Sequence, residues 1–164
     1  MKADEITALA RELGDALRDA GLVAAAAESC TGGGVAEAIT RIPGSSAWFD
    51  RAFVTYSNAA KMSLLDVPEA TLEAHGAVSE ETAQAMLRGA LDRSDAQVAV
   101  AVTGIAGPDG GSAEKPVGLV WFAWGTRDGA PETESRRFGG DRDGVRAQAV
   151  AYALRGMLEL VRRR

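Results

Sequence analysis

The spacing of apolar residues changes along the chain and predicts helices and strands in turn. Near the start, apolar residues recur every three or four positions, which is typical of an amphipathic helix, and Gly21 ends it. Residues 22–29 form an almost continuous apolar run, which predicts a buried strand. A glycine turn then leads into a predicted helix over residues 35–42.

The same kind of pattern continues to the end of the chain. It predicts strands over 48–56 and 97–103, and a hairpin of 117–127 with 132–138. Helices are predicted over 59–65, from Pro68 to near Gly76, from Ser79 to about Arg93, and over 143–161. Ser79 is the predicted cap of its helix. Strands that alternate with helices, followed by a late hairpin, predict a mixed, mostly parallel sheet between helical layers. We therefore expect an α/β fold, a single three-layer α/β/α domain over residues 1–164.

Composition narrows the classes of protein. The chain has 164 residues, of which 46% are hydrophobic and 25% charged, as in ordinary globular proteins. One cysteine excludes an intramolecular disulfide framework and suits a reducing compartment. The net charge of -5 argues against general nucleic-acid binding. No apolar stretch has the length of a membrane span and the amino terminus lacks a signal-peptide layout, so we expect a cytoplasmic protein without membrane contact.

Ser29 stands at the end of the first predicted strand and just before three glycines, residues 32–34. Open α/β sheets bind ligands at the carboxyl ends of their strands, and glycines let backbone approach a substrate closely. The first N–H groups of the following helix lack intrahelical partners and can stabilise an anion. A hydroxyl nucleophile beside free backbone donors is half of an acyl-transfer site.

The other half is a base, and the sequence contains no Ser-His-Asp set. Tyr56 and Lys61 lie at the second strand-to-helix junction, where Ser57 and Asn58 form a predicted N-cap. A desolvated lysine can accept a proton from serine, and a phenol can relay that proton or orient the amine. The alternative is that Lys61 is a solvated lysine beside a helix cap.

Cys30 competes with Ser29 for the role of nucleophile, because a helix N-terminus can lower the pKa of a thiol. The usual partner of such a cysteine is a histidine, and the sequence holds only His75, in a polar stretch. Neighbouring strand residues face opposite sides, so only one of the two meets the pocket, and we favour Ser29. No Cys, His and carboxylate cluster has metal-ligand spacing, so we expect no metal.

A third junction follows the strand over 97–103, where a glycine-rich loop begins. We expect a wall of the substrate pocket there, formed by Thr103, Gly104, Ile105, Ala106 and Gly107. The alternative is that this segment is only a turn. Arg142 comes directly after the predicted cap Asp141 at the start of the last helix, and an arginine there is suited to hold a phosphate or carboxylate. Arg146, one helical turn further on, is the alternative for that role. A further alternative is that Asp141 only caps the helix and both arginines are solvated.

Six short motifs follow one another along the chain, and the resemblance that they carry spans nearly its whole length. They are Ala27-Glu-Ser-Cys-Thr-Gly-Gly33, Tyr56-Ser-Asn-Ala-Ala-Lys61, Gly76-Ala-Val-Ser79, Thr103-Gly-Ile-Ala-Gly-Pro-Asp-Gly-Gly111, Lys115-Pro-Val-Gly118 and Phe138-Gly-Gly-Asp-Arg142. Together they resemble the CinA C-terminal domain family, of the nicotinamide-nucleotide amidase (NMN deamidase) type. One departure from the family pattern is Ala77, which lies outside the catalytic motifs.

The resemblance implies hydrolysis of nicotinamide mononucleotide to nicotinate mononucleotide and ammonia, in a homo-oligomer and without metal or organic cofactor. It implies Ser29 as the nucleophile, with Lys61 and Tyr56 as its activators. The residues expected beside the substrate, a pyridine nucleotide, are Thr31, Gly32, Gly33, Ser57, Asn58, Thr103, Gly104, Ile105, Ala106, Gly107 and Arg142. Backbone N–H groups of residues 31–33 would stabilise the oxyanion.

A rival hypothesis is a non-catalytic nucleotide-binding module, or an interaction module associated with competence or DNA damage. The acidic net charge gives no support for direct DNA contact. The joint presence of Ser29, Tyr56 and Lys61 favours the enzyme, because a pure binding module has no need of a base.

Overall fold

The computed structural model describes residues 2–164, which form six α-helices and five β-strands. The elements are α1 (Ala3–Ala20), β1 (Ala24–Glu28), α2 (Gly34–Thr40), a short 3-10 helix (Ser45–Ala47), β2 (Phe49–Val54), α3 (Asn58–Leu65), α4 (Glu69–His75), α5 (Glu80–Asp92), β3 (Val98–Gly104), β4 (Leu119–Thr126), β5 (Glu132–Arg137) and α6 (Arg142–Arg162). Every helix and strand predicted from the apolar pattern is present, with ends that differ by a few residues.

All five strands belong to one sheet, in the order β2-β1-β3-β4-β5. Strand β1 runs parallel to both β2 and β3, whereas β4 is antiparallel to both β3 and β5. It follows that all strands except β4 point in the same direction. The prediction of a mixed, mostly parallel sheet is therefore confirmed.

The two faces of the sheet are covered by different helices. In β3, Val98, Val100 and Val102 pack into the core that also contains α1, α2 and α6. The intervening Ala99 and Ala101 face the second core, with residues of α5. This alternation follows from the two-residue period of a strand. Helices thus lie on both sides of the sheet, and the predicted three-layer α/β/α arrangement is confirmed.

Three helices begin at the polar caps that the sequence predicts. The side chains of Ser57, Ser79 and Asp141 each accept the backbone N–H three residues further on, at 3.0, 3.1 and 2.8 Å. Each cap satisfies a donor that has no partner inside the helix. Ser57 thereby fixes the start of α3 immediately after the turn that follows β2.

The parallel strands end at one edge of the sheet, and this edge collects the chemistry-bearing residues. Ser29 directly follows β1, Tyr56 comes two residues after β2, and Gly104 is the last residue of β3. The carboxyl ends of neighbouring parallel strands lie side by side, as the switch-point rule for α/β sheets requires. Within residues 2–164, no helix is both long and apolar enough to span a membrane.

Candidate active site

A pocket of about 230 Å³ lies at this edge of the sheet. Its lining comprises Ser29, Cys30, Tyr56, Asn58, Lys61, Ala77, Val78, Thr103, Gly104, Ala106 and Arg142. A larger cavity of about 470 Å³ lies between β5 and α6 and shares no lining residue with this pocket. Its lining includes two ion pairs, Arg163 with Glu132 and Arg136 with Glu134. The pocket of about 230 Å³ is the candidate site, because its lining contains Ser29, Tyr56 and Lys61.

Ser29 and Lys61 are in direct contact in this pocket. The Nζ atom of Lys61 lies 2.9 Å from Oγ of Ser29. Nζ also donates to the backbone carbonyl oxygens of Thr55, at 2.9 Å, and Tyr56, at 3.4 Å. Lys61 is 1% exposed, so the structure excludes the solvated lysine that the sequence left open.

No carboxylate accepts a hydrogen bond from the Lys61 amine in residues 2–164; its polar partners are one hydroxyl and two carbonyl oxygens. Burial disfavours the charged ammonium and lowers the pKa of Lys61. A lysine with a lowered pKa reaches its neutral form at a lower pH than one in water. The pocket therefore provides a hydroxyl in hydrogen-bond contact with an amine that can act as a proton acceptor.

The turn after Ser29 is built around a buried carboxylate that sequence reasoning missed. Glu28 is fully buried and accepts hydrogen bonds from the Thr31 hydroxyl at 2.6 Å and from the N–H groups of Gly33, Val35 and Ala36 at 2.9–3.2 Å. It occupies the N-terminus of α2, where the helix dipole favours a negative charge. In the sequence, the only indication of this role was a single carboxylate, Glu28, after a run of alanines.

Glycines let this turn close tightly. Gly33 precedes α2 with φ +100°, a left-handed conformation that L side chains rarely adopt. The turn also satisfies its own amides, since Gly32 N–H donates to Ser29 O at 3.0 Å and Gly34 N–H to Thr31 O at 2.9 Å. The result is a rigid connection from the Ser29 hydroxyl to α2.

These hydrogen bonds decide which backbone N–H groups remain free to stabilise an oxyanion. The predicted donors were the N–H groups of residues 31–33, but those of Gly32 and Gly33 are already bonded to Ser29 O and Glu28. In residues 2–164, the Cys30 and Thr31 N–H groups donate to no protein oxygen. Cys30 lies in the pocket lining beside Ser29. The expectation is therefore wrong for the two glycines, and the free donors begin one residue earlier.

The Cys30 side chain is poorly suited to compete as nucleophile. It is 5% exposed, and burial raises the pKa of the thiol to about 12. A thiol with that pKa remains protonated near neutral pH, and only the thiolate is strongly nucleophilic. Of the two candidates, only Ser29 has an amine within hydrogen-bond distance.

Tyr56 and Arg142 meet at the mouth of the pocket. Arg142 donates from Nη2 to the Tyr56 hydroxyl at 2.8 Å and from Nη1 to the Gly107 carbonyl at 2.7 Å. Tyr56 is 61% exposed, so its phenol faces the opening, while its backbone carbonyl faces Lys61. The structure thus places a cation and a phenol at the rim, on the solvent side of the Ser29–Lys61 pair.

The remaining predicted residues separate into two groups. Asn58, Thr103, Gly104 and Ala106 line the pocket with Ser29. The other predicted residues lie outside the described lining. Thr31, Gly32 and Gly33 border a cleft on the other side of the turn, and Ser57 caps α3. Ile105 and Gly107 lie in the loop after β3.

Two lining residues, Ala77 and Val78, come from the loop between α4 and α5 and were not predicted. The carbonyl oxygen of Ala77 accepts a hydrogen bond from the Thr103 hydroxyl at 2.8 Å. Ala77 therefore forms part of the pocket wall, although in the sequence it lies outside the catalytic motifs. Its motif, residues 76–79, carried the only available signal.

Arg146 is held on the opposite side of the turn from Arg142. Its Nε donates to the Cys30 carbonyl at 3.2 Å and its Nη2 to the Thr31 carbonyl at 3.3 Å. It borders the neighbouring cleft and not the described Ser29 pocket. Of the two arginines considered from the sequence, only Arg142 lies in that pocket.

Fold and site together define an α/β/α protein with a buried serine–lysine pair at the ends of parallel strands. The family model for the CinA C-terminal domain matches residues 6–161. The chain belongs to this family, as its motifs indicate.

Individual relatives are similar over nearly the full chain. The nicotinamide-nucleotide amidohydrolase PncC of Pseudomonas putida is 58% identical over 158 residues, which cover 96% of this chain and 98% of that protein. PncC of Escherichia coli K12 is 55% identical, over 94% of this chain and 93% of that protein. The crystal structure of the competence/damage inducible protein CihA from Agrobacterium tumefaciens superposes with a TM-score of 0.93 at 50% identity, covering 95% of each chain.

Proposed function

We propose that this protein is a nicotinamide-nucleotide amidohydrolase that hydrolyses the carboxamide of nicotinamide mononucleotide through a serine acyl-enzyme. The proposal is supported by the Pseudomonas and Escherichia relatives, which are named nicotinamide-nucleotide amidohydrolases. They match this chain over nearly its whole length. The observation that carries the chemistry is the 2.9 Å contact between Lys61 Nζ and Ser29 Oγ in a buried pocket. A module that only binds nucleotides has no need of such a contact.

The hydrogen bonds of Lys61 suit a neutral amine. A neutral amine has two N–H donors and one lone pair, and the carbonyl oxygens of Thr55 and Tyr56 accept the two N–H groups. The lone pair is then left for the Ser29 hydroxyl, which becomes the donor in that contact. In this form Lys61 is ready to take the serine proton.

The reaction begins when Ser29 Oγ attacks the carboxamide carbon and its proton passes to Lys61. The carbonyl oxygen becomes an oxyanion, which the free N–H groups of Cys30 and Thr31 stabilise. Lys61 then returns the proton to the leaving nitrogen, and ammonia departs from the acyl-enzyme. Water attacks the ester with Lys61 again as base, which releases the carboxylate product and restores Ser29.

Direct contact between Lys61 and Ser29 makes a phenol relay unnecessary for the proton transfer. The Tyr56 hydroxyl is instead bonded to Arg142, a cation at the pocket mouth. We assign this pair to the phosphate end of the nucleotide, with Arg142 as its ligand. Thr103, Gly104 and Ala106 form the wall against which the pyridine ring packs.

Ammonia release from nicotinamide mononucleotide by the purified protein tests the function. The wild type should release ammonia and form nicotinate mononucleotide in equal amounts. Ser29→Ala should lose turnover by about 10³-fold or more, because it lacks the nucleophile, while its melting temperature stays close to that of the wild type. A wild type that binds the nucleotide but releases no ammonia would show a binding module instead.

A further inference from the structure

We infer that Arg146 is a positioning residue for the amide donors beside Ser29, acting through the backbone of the turn and not on the substrate. The inference rests on the proposed function, because the donors in question would stabilise the oxyanion of that reaction. It removes Arg146 from the candidates for the phosphate ligand. It also explains why an arginine stands on the cleft side of the turn.

The guanidinium of Arg146 holds two successive carbonyl groups. Nε donates to Cys30 O and Nη2 to Thr31 O, at 3.2 and 3.3 Å. A guanidinium presents its N–H groups in a fixed planar fork, so it can fix the relative orientation of two neighbouring peptides. Lysine has no such fork.

The first held carbonyl controls the Thr31 amide directly. A trans peptide is planar, so its C=O and N–H point in opposite directions. The Cys30 carbonyl belongs to the same peptide as the Thr31 N–H. Because Arg146 holds that carbonyl, the Thr31 N–H points away from the guanidinium and is left without a protein oxygen as acceptor among the described residues.

The second held carbonyl controls the Cys30 amide through one further bond. The Thr31 carbonyl shares its peptide with the Gly32 N–H, which donates to Ser29 O at 3.0 Å. Ser29 O in turn shares its peptide with the Cys30 N–H. A chain of peptides thus leads from the charged guanidinium to this donor, and hydrogen-bonded groups in series polarise one another. Arg146 is linked in this way to both free amides.

Close packing supports a fixed geometry of this turn. A Cβ atom added at Gly32 would lie 3.1 Å from Nη2 of Arg146, so the guanidinium rests directly against the backbone. On the other side of the same turn, Glu28 holds the Thr31 hydroxyl and the Gly33 N–H. The turn is therefore bound from both sides, with Arg146 on its carbonyl groups and Glu28 on its donors.

The test compares Arg146→Gln and Arg146→Lys with Arg155→Gln, an exposed arginine of the same helix that serves as matched control. For Arg146→Gln we expect kcat to fall roughly 10- to 100-fold, somewhat less than the loss on removing an oxyanion donor outright. KM for the nucleotide should change by less than about threefold. The same fall in kcat is expected for nicotinamide riboside, which has no phosphate. Arg146→Lys should retain an intermediate kcat, and Arg155→Gln the wild-type value.

Binding of a transition-state analogue distinguishes a positioning role of Arg146 from an effect on the stability of the fold. In an aldehyde analogue of the nucleotide, the Ser29 oxygen bonds to the aldehyde carbon, the serine proton passes to Lys61, and the aldehyde oxygen becomes an oxyanion. The inhibition constant of this analogue should rise in Arg146→Gln by the same factor by which kcat/KM falls. The inhibition constant of the product, nicotinate mononucleotide, should stay unchanged.

Three results would overturn the inference. These are an unchanged kcat in Arg146→Gln, a loss confined to the phosphate-bearing substrate, and unchanged aldehyde binding despite a lower melting temperature. If Arg146→Gln does not fold, Arg146→Lys supplies the same comparison. A wild type without ammonia release would instead contradict the proposed function, and an active wild type with a fully active Arg146→Gln would contradict this inference alone.

Discussion

The amine of Lys61 lies 2.9 Å from the hydroxyl oxygen of Ser29, although 32 positions separate the two residues in the sequence. Two strand-to-helix junctions bring them together, one after β1 and one after β2. Because these strands are parallel neighbours, both junctions open at the same edge of the sheet. The contact is thus a consequence of the topology.

Replacing Lys61 should remove the proposed base and leave Ser29, the proposed nucleophile, in place. Lys61→Arg keeps the positive charge but cannot accept a proton near neutral pH, because a guanidinium stays protonated. We expect Lys61→Arg and Lys61→Met to lose kcat by about 10³-fold each, with Lys2→Arg as an exposed control. A Lys61→Arg variant with most of its kcat intact would show that the lysine is only an electrostatic support.

The pH profile of the wild type gives the matching measurement. Burial lowers the pKa of Lys61, and the proposed mechanism uses the neutral amine. The value of kcat/KM should therefore rise with pH through this lowered pKa and level off below pH 10.5, the value of an ordinary lysine. A profile that falls as pH rises over that range would contradict a base at this position.

Cys30 should prove inert in spite of its position beside Ser29, the proposed nucleophile. Its thiol is buried and its pKa is raised to about 12, so almost no thiolate exists at pH 8. Cys30→Ala should keep kcat within about threefold of the wild type, and iodoacetamide at pH 8 should leave the native enzyme active. Rapid inactivation by iodoacetamide, protected by substrate, would show instead that the thiol is reactive in the folded protein.

Arg142 should contribute to binding of the nucleotide. It lies at the pocket mouth, and its guanidinium is held by the Tyr56 hydroxyl and the Gly107 carbonyl. Arg142→Ala should raise KM for the nucleotide by about 10-fold or more and have a smaller effect on the riboside. Tyr56→Phe removes one of the groups that hold Arg142 and should raise KM by less. Equal losses of Arg142→Ala on both substrates would leave it as a structural residue.

The sequence predicts this fold well because apolar spacing is a local property. The valine and alanine run of β3 shows a strand covered on both faces, and Ser57 and Ser79 show the starts of α3 and α5. The order of the strands is not local, and the sequence did not predict it. Gly104 illustrates the limit: it was expected in the loop, but it pairs with Val120 as the last residue of β3.

The site was predictable where one residue type carries the chemistry, and not where the partners are backbone groups. Ser29 and Lys61 were predicted as candidates from their residue types and their positions at strand ends, and the structure brings them into contact, while their catalytic roles stay a prediction. The role of Glu28 was not, because three of its four partners are main-chain N–H groups, which have no sequence signature. For the same reason, the free amides of Cys30 and Thr31 became evident only from the hydrogen bonds of the folded turn.

Loss of the Glu28 carboxylate should unfold the turn that carries Ser29. Glu28→Ala leaves the N–H groups of Gly33, Val35 and Ala36 and the Thr31 hydroxyl without their acceptor inside the protein. We expect a loss in free energy of unfolding of about 3 kcal/mol, since each unsatisfied buried donor costs about 1 kcal/mol or more. Urea denaturation measures it, with Glu73→Gln, exposed on α4 and without an ion pair among the described residues, as the control for an effect of charge alone.

A change in the packing of α5 on α3 should lower both stability and kcat, because α3 carries Lys61. At Gly89 in α5, an added Cβ would lie 2.2 Å from the backbone oxygen of Leu65 at the end of α3. Gly89→Ala must therefore push the two helices apart, which we expect to cost about 1–3 kcal/mol of stability. A displaced α3 also moves the amine from Ser29, so kcat should fall even at temperatures where the variant remains folded. Gly139→Ala is the matched control, since nothing lies within 4 Å of a Cβ added there. A Gly89→Ala variant with the melting temperature and kcat of the Gly139→Ala control would show that this contact does not set the position of Lys61.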